Sequence, residues 1–239
     1  MKVFGGILAG GIGARMAAAN GLPKQFLKVG GVPVLIRTLK RFFELEELDG
    51  LVLAMHPSWK DYTTNLLAEY GLEAGHVTII DGGATRFDSL VNLARACERL
   101  SEGDPDALLI NHDCARPFVS TEILRANIAA LANYDMATTS IPTIDTVLLS
   151  ADGKCSDTVP ERSTVFLDQG PQTINVKHFL ELVSSLSEEE RLRYMEAGRL
   201  YLEKGFRVGI VEGSRNNFKL TTPFDLSFAE ALLEKGIIS

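Results

Sequence analysis

The chain has 239 residues, of which 46% are hydrophobic and 23% are charged, and it carries a formal net charge of −7. This length and composition are typical of a globular protein with a sizeable core, and we expect one domain over residues 1–239. The acidic balance argues against nucleic acid as a main partner, because a binder needs a basic surface to face the phosphate backbone.

Strands and helices alternate along the first half of the sequence. Apolar runs predict strands at 3–9, 51–56, 76–81 and 107–112. Apolar residues at spacings of three and four predict helices at 33–48, 58–70 and 84–100. This alternation predicts an α/β fold with a Rossmann-like, mostly parallel sheet flanked by helices.

The second half continues the alternation, with one interruption. We predict helices at 121–133, 175–186, 188–204 and from 223 onwards, and strands at 134–141 and 207–212. Residues 142–169 fit neither pattern, and their Asp152-Gly153 turn signal predicts a β-hairpin arm that projects from the sheet. Such an arm is suited to forming a homodimer.

The sequence gives no sign of a membrane or extracellular protein. No apolar run reaches the length needed to span a bilayer, and the apolar N-terminal stretch is too short for a secretory signal. Cys97, Cys114 and Cys155 lie far apart without metal-binding or redox spacing, and an odd number suits a reducing compartment. We therefore expect a cytoplasmic protein that makes no membrane contact.

A glycine-rich segment, LAGGIGARM, follows the first predicted strand. Gly10, Gly11 and Gly13 would let backbone amides approach an anion closely, and Arg15 and Lys24 would add positive charge beside it. The segment is neither a Walker A loop nor a complete dinucleotide fingerprint. From these residues alone, a tight turn with two surface cations remains an alternative to a triphosphate site.

This loop, followed by PKQFL, resembles the signature of the cytidylyltransferases of the 2-C-methyl-D-erythritol 4-phosphate and D-ribitol 5-phosphate type. The resemblance covers essentially the whole chain. It implies a homodimeric enzyme with CTP as donor and Mg²⁺ as cofactor. It also implies that Ala9 and the loop glycines contact CTP.

Two further motifs follow predicted strands. In GGATRFDS, Gly83, Arg86 and Ser89 match the family element that contacts cytosine and ribose, although Ser89 alone could be a helix-start residue. In HDCARPF, Asp113 could hold Mg²⁺ or orient a lysine. Arg116 follows it, and a local pair between the two remains the alternative.

The remaining motifs lie later in the chain. NNFKLTTPFDL places Lys219 after the last predicted strand, and the resemblance implies that it returns to the phosphate loop. In the arm, Thr146, Arg162 and the segment QGPQ correspond to family elements that bind the acceptor, with the arginine reaching the partner subunit's site. Met195 and Glu196 stand where the family usually has a Thr-Asp pair, and Glu196 is the candidate substitute for the aspartate.

We therefore expect transfer of CMP from CTP to a polyol phosphate with release of pyrophosphate. Catalysis between two anions should depend on positioning and charge neutralisation, supplied by Arg15, Lys24 and Lys219 with Mg²⁺, while Arg116 and Arg162 bind the acceptor phosphate. The long connection before Met195 and the Phe of HDCARPF favour D-ribitol 5-phosphate, and 2-C-methyl-D-erythritol 4-phosphate is the alternative acceptor.

Two other classes of protein remain as alternatives. A dinucleotide-binding oxidoreductase needs a third glycine where Met16 stands, and an acidic residue at the end of the second strand, where the chain has His56. A non-catalytic nucleotide-binding regulator would not need Arg116 and Arg162, and both are present.

Overall fold

The structure is a computed structural model that describes residues 1–11, 21–72, 75 and 77–238. The strands are β1 (Val3–Ala9), β2 (Lys28–Val29), β3 (Val32–Pro33), β4 (Gly50–Met55), β5 (Val77–Asp81), β6 (Leu108–Asp113), β7 (Met136–Pro142), β8 (Phe166–Asn175) and β9 (Val208–Glu212). The α-helices are α1 (Val34–Phe43), α2 (Lys60–Glu69), α3 (Arg86–Leu100), α4 (Thr121–Ala130), α5 (Val176–Ser184), α6 (Glu188–Arg191), α7 (Ala197–Glu203) and α8 (Pro223–Glu234).

The main sheet confirms the predicted α/β fold. Its strand order is β5-β4-β1-β6-β8-β7-β9, and β2 pairs with β3 in a separate small sheet. Strand β8 is antiparallel to β6 and to β7, while the other neighbouring strands of the main sheet are parallel. The carboxyl ends of β1, β4, β5 and β6 therefore meet at one edge, where open α/β sheets bind ligands.

Hydrophobic layers cover both faces of the sheet. Successive residues of a strand point to opposite faces, so Val52 packs in the layer that contains Phe87 and Phe179, and Leu53 packs in the layer that contains Leu35 and its neighbours. Helices α3, α5 and α7 contribute to the first layer, whereas α1, α2 and α4 contribute to the second. This two-sided burial holds the strand ends rigidly at the edge that carries the polar motifs.

Strand β8 was not predicted. The sequence assigned residues 166–169 to the arm and began a helix near 175, but Phe166–Asn175 form a strand of the main sheet, between β6 and β7. Its first three residues are exposed, and its buried residues include Gln169, Gln172 and Thr173, whose side chains are polar. It therefore lacks the apolar pattern by which buried strands are recognised.

The predicted helix at 188–204 is interrupted. Ser187 begins α6 with a capping box whose other member is Glu190, and Glu196 caps the separate helix α7. An acidic residue that accepts backbone N–H groups in this way starts a helix, so the interruption has a local cause.

The arm lies between β7 and β8. Leu149 and Thr158 form its one isolated bridge within the described chain, and Gly153 occupies the predicted turn with a positive φ of 69°. None of the described helices has the length and apolar character required to cross a membrane.

Candidate active site

A cavity of about 290 Å³ opens at the carboxyl ends of β1, β5 and β6. Its lining includes every described residue that the sequence assigned to CTP or to catalysis: Ala9, Gly10, Gly11, Lys24, Gly83, Arg86, Ser89, Asp113 and Lys219. The candidate residues Gly13 and Arg15 lie outside the described residues. We call this cavity the first pocket.

The loop between β5 and α3 forms one wall of the first pocket. The Gly83 N–H donates to Ser89 Oγ at 2.9 Å, and that hydroxyl donates to the Thr85 carbonyl at 3.0 Å. Thr85 and Asp88 form a capping box at the start of α3. Ser89 is therefore a helix-start residue, as its alternative interpretation held, and it also lines the pocket.

The segment that contains Lys24 closes another side of the first pocket. The buried Gln25 side chain donates from Nε2 to the Ala9 carbonyl at 3.0 Å, which ties this segment to the end of β1. The Lys24 ammonium donates to the Leu220 carbonyl at 3.4 Å, which joins this segment to the one that contains Lys219. Gln25 stands in the motif PKQFL, but no sequence pattern distinguishes it as a site residue.

Asp113 joins two cations that are distant in sequence. Its Oδ1 accepts from Arg86 Nη2 at 3.1 Å and Nε at 3.3 Å, and its Oδ2 accepts from Lys219 Nζ at 2.5 Å. Burial alone raises the pKa of Asp113, but the attraction of Arg86 and Lys219 outweighs burial and holds the pKa well below its usual range. The carboxylate is therefore ionised, and its partners are these two residues rather than Arg116.

A second cavity of about 190 Å³ adjoins the first. Arg86, Asp113 and Lys219 line both cavities, so these three side chains form a shared wall. The rest of its lining comes from β6, β8 and two connections, with Asn111, His112, Arg116, Asp168, Gln169, Gly170, Gln172, Met195 and Glu196. We call this cavity the second pocket.

Arg116 and His112 stand together in the second pocket. Arg116 Nη1 donates to the Asn217 carbonyl at 2.7 Å, and His112 Nε2 lies 3.0 Å from the Arg116 carbonyl. Burial lowers the pKa of His112 to about 4, so the imidazole is neutral near pH 7. Asn217 fixes the loop further, because its Nδ2 donates to the Gly170 carbonyl at 2.7 Å.

The connection between α6 and α7 forms the outer rim of the second pocket. Glu196 accepts from the Gly198 N–H at 2.6 Å, so its carboxylate is engaged in capping α7 while it lines the pocket. The Met195 carbonyl accepts from Arg86 Nη1 at 3.1 Å. Arg191 forms a salt bridge of 2.8 Å with Asp88 of the capping box on α3. The two pockets are therefore linked through this rim.

Thr146 and Arg162 are exposed on the arm and line neither pocket of this chain. Arg162 Nη1 donates to the Ile144 carbonyl at 3.3 Å, within the arm. Their assignment to the acceptor site of a partner subunit stays a prediction.

The donor set suits a metal ion held mainly by substrate. No group of three or more His, Cys, Asp or Glu side chains with metal-binding geometry occurs among the described residues. Mg²⁺ is commonly held by one or two carboxylates together with substrate phosphates, and Asp113 is the carboxylate in the first pocket. These residues are therefore compatible with a Mg²⁺ that takes most of its ligands from a triphosphate.

Known proteins are similar to this chain over nearly its whole length. A family model described as IspD, 2-C-methyl-D-erythritol 4-phosphate cytidylyltransferase, matches residues 3–235. A 4-diphosphocytidyl-2C-methyl-D-erythritol synthase from Anaerococcus prevotii is similar with a TM-score of 0.79 and 27% identity, covering 98% of this chain and 96% of that chain. A 2-C-methyl-D-erythritol 4-phosphate cytidylyltransferase from Thermus thermophilus is similar with a TM-score of 0.72 and 29% identity, covering 98% of this chain and all (100%) of that chain.

These matches favour one of the two expected acceptors. The family model and both similar structures carry the name of the methylerythritol phosphate enzyme, so they support the alternative acceptor of the sequence analysis and give no support to D-ribitol 5-phosphate. An oxidoreductase is no longer an alternative, since the match extends over nearly the full chain.

Proposed function

The chain belongs to the 2-C-methyl-D-erythritol 4-phosphate cytidylyltransferase family and is a CTP-dependent cytidylyltransferase, and on that premise we propose that its acceptor is 2-C-methyl-D-erythritol 4-phosphate. In the reaction an oxygen of the acceptor phosphate bonds to the α-phosphorus of CTP. The bond from that phosphorus to the oxygen bridging to the β-phosphate breaks, and pyrophosphate leaves.

The family match supports this choice of acceptor, and one observation supports the transfer itself: two adjoining pockets share a wall that holds two cations and a carboxylate. A transfer between two anionic substrates needs separate cavities that meet where the reacting phosphates meet. CTP would occupy the first pocket and the polyol phosphate the second. Arg86 and Lys219 then stand at the boundary, where negative charge accumulates.

The residues take complementary roles in this proposal. The amides of Gly10 and Gly11 and the ammonium of Lys24 hold the triphosphate in the first pocket, and Gly83 and Ser89 form the wall for the nucleoside. Lys219 stabilises the charge that develops at the α-phosphate, and Asp113 positions Lys219. Mg²⁺, when bound to the triphosphate and Asp113, would supply further charge neutralisation. Arg116 binds the acceptor phosphate.

A homodimer is part of the proposal. Six large apolar side chains are exposed on the arm and at the start of β8: Ile144, Leu148, Leu149, Val159, Phe166 and Leu167. A partner subunit that covered them would bury apolar surface that otherwise faces water. The single domain would then carry its dimerisation element at about residues 142–169, and would place Thr146 and Arg162 near a partner's pocket.

D-Ribitol 5-phosphate is the second candidate acceptor, because the long connection before Met195 and the Phe of HDCARPF resemble the enzymes that use it. Met195 and Glu196, which replace the usual Thr-Asp pair, stand at the rim of the second pocket. Glu196 is engaged in capping α7, and Met195 presents an exposed apolar side chain. A changed rim contact shifts selectivity between similar polyols by about 1–3 kcal/mol. The two acceptors therefore have to be compared directly.

The test is pyrophosphate release from CTP and Mg²⁺ with each acceptor offered separately, and with ATP, GTP and UTP as donor controls. We expect turnover with CTP and 2-C-methyl-D-erythritol 4-phosphate. Turnover with D-ribitol 5-phosphate alone would replace the acceptor, and no turnover with either would overturn the proposal.

Lys219→Ala tests the shared wall in the same assay. We expect kcat to fall by about a hundredfold or more, because one charged contact to the transition state is removed. Lys235→Ala, which removes an exposed lysine after α8, is the matched control and should retain full turnover. Equal rates for the two variants would contradict the role of Lys219.

A further inference from the structure

Asp168 is an acidic residue in the second pocket to which neither the sequence motifs nor the family resemblance assigns a role. It lies in β8, and its carboxylate is held in place from both sides. Oδ1 accepts from Thr138 Oγ1 of β7 at 2.5 Å, and Oδ2 accepts from Gln172 Nε2 at 3.2 Å. Both partners donate, so the carboxylate has a fixed position and keeps further lone pairs for a ligand.

Beside Asp168 lie two buried side-chain amides whose oxygens accept no hydrogen bond from the protein. Gln172 Nε2 donates to Asp168 and Asn111 Nδ2 donates to the Gln172 carbonyl at 3.0 Å, which fixes the orientation of both amides. Their oxygens, Gln172 Oε1 and Asn111 Oδ1, are buried without a partner in the protein, and both residues line the second pocket. Buried acceptors without a donor are costly, so this wall favours a ligand that brings O–H groups.

The second pocket therefore offers both cations and hydrogen-bond acceptors. Arg86 and Lys219 stand at the wall shared with the first pocket and Arg116 adds a third cation, whereas Asp168, Gln172 and Asn111 provide acceptors on strands β6 and β8. A phosphate is repelled by a carboxylate, and a hydroxyl donates to one. A polyol phosphate satisfies both parts when its phosphate faces the shared wall and its hydroxyl chain faces Asp168.

We infer that Asp168, held by Thr138 and Gln172, is a specificity-determining residue that binds a hydroxyl group of the polyol chain and so orients the acceptor phosphate toward the first pocket. This inference rests on the proposed function, since it assigns a chemical role within the same acceptor pocket. Under this inference, the second pocket binds acceptors that carry hydroxyl groups as well as a phosphate.

The test measures four quantities for wild type and for Asp168→Asn: kcat, the KM for the polyol phosphate that wild type uses, the KM for CTP, and the inhibition constant of methyl phosphate competing with the acceptor. The substitution keeps the size of the side chain and removes its charge. We expect the acceptor KM to rise about tenfold, because a charge-assisted hydrogen bond becomes a neutral one. The KM for CTP should not change.

Methyl phosphate separates this role from a structural one. It has no hydroxyl chain, so Asp168→Asn should leave its inhibition constant unchanged or lower it, because a repulsive charge has gone. Thr138→Val, which removes the donor to Oδ1 and keeps the charge, should raise the acceptor KM by a smaller factor. Asp61→Asn, at an exposed position on α2, is the matched control and should behave as wild type.

The outcomes are distinct. Wild type that releases no pyrophosphate with either polyol phosphate would overturn the proposed function, and this inference with it. Active wild type with an unchanged acceptor KM in Asp168→Asn would overturn only the role of Asp168. An equal loss of affinity for the acceptor and for methyl phosphate would indicate a general disturbance of the pocket, and would also overturn it.

Discussion

Gly82 and Gly83 are neighbours in the loop that leads from β5 into α3, yet the structure predicts different outcomes when each is replaced by alanine. A Cβ on Gly82 would meet its nearest neighbour, Ser89 Oγ, at 3.5 Å, which is an ordinary van der Waals contact. A Cβ on Gly83 would lie 2.3 Å from Asp88 Cβ, 2.6 Å from the Asp88 carbonyl carbon and 2.7 Å from the Ser89 nitrogen.

The magnitude follows from those distances. Real Cβ atoms essentially never approach other heavy atoms closer than 3.0 Å, so Gly83→Ala requires a shift of at least 0.7 Å (3.0 − 2.3). The atoms that must move include the backbone of the first turn of α3, which does not rotate away as a flexible side chain would. Overpacking of this kind costs about 1–3 kcal/mol in the free energy of unfolding.

The same shift affects the first pocket. It displaces Ser89, which accepts from the Gly83 N–H, and Arg86, which begins α3 and contacts Asp113. Misplacing positioning groups by about 1 Å costs up to a hundredfold in rate. We therefore expect Gly83→Ala to raise the KM for CTP and to lower kcat, whereas Gly82→Ala should lie close to wild type in both.

Urea denaturation followed by circular dichroism gives the free energy of unfolding of both variants, and pyrophosphate release at varied CTP gives their kinetic constants. Gly82→Ala serves as the matched control, because it adds the same methyl group one residue away. If the two variants have equal stability and equal KM for CTP, the steric argument for Gly83 is wrong.

Two further predictions concern groups that burial perturbs. In the native protein a thiol reagent should label Cys155 rapidly and Cys97 and Cys114 slowly, because Cys155 is exposed and burial raises the pKa of each of the other two thiols to about 12. The number of labelled thiols, counted by mass spectrometry, should rise from one in the native protein to three in urea. Rapid labelling of Cys114 in the native protein would contradict its burial. Burial also lowers the pKa of His112 from 6.5 to about 4, so the unfolded chain binds this proton first and stability should fall as the pH drops from about 6.5 towards 4. The free energy of unfolding should be lower by about 2 kcal/mol at pH 5 than at neutral pH because of this group. In urea denaturation, the free energy of unfolding of His112→Gln should depend on pH less strongly by that amount. An equal pH dependence in both proteins would refute the assignment to His112.

The sequence predicted the parallel half of the sheet well, because its strands are apolar runs followed by glycine or polar motifs. Strand β8 was missed for a physical reason: Gln169, Gln172 and Thr173 are buried although their side chains are polar. The Gln169 amide donates to the Ser214 carbonyl and the Gln172 amide donates to Asp168, so these side chains do not pack as a hydrophobic layer. Strand β8 contributes Asp168, Gln169, Gly170 and Gln172 to the second pocket. The sequence therefore did not predict Asp168 and Asn111 as site residues, although it predicted the neighbouring segment QGPQ as a motif.

The residues around the first pocket were easier to predict than their contacts. Arg86, Asp113 and Lys219 are all predicted from motifs and line the pocket, but a local pair of Asp113 with Arg116 was the alternative interpretation. The structure pairs Asp113 with Arg86 and Lys219, which are 27 and 106 residues away along the chain. Partners at such separations depend on how strands are ordered in the sheet, which spacing along the sequence does not reveal.

The pairing of Asp113 with two cations has a consequence for how substrates bind. Asp113 acts as a built-in counterion that keeps the Arg86 guanidinium and the Lys219 ammonium aligned and partly dehydrated before any phosphate arrives. If the substrate phosphates bind here as proposed, they meet cations that the fold has already aligned, so little reorganisation of the cations is left for the binding step. The folded protein therefore holds these three charges in a fixed arrangement before either proposed substrate binds.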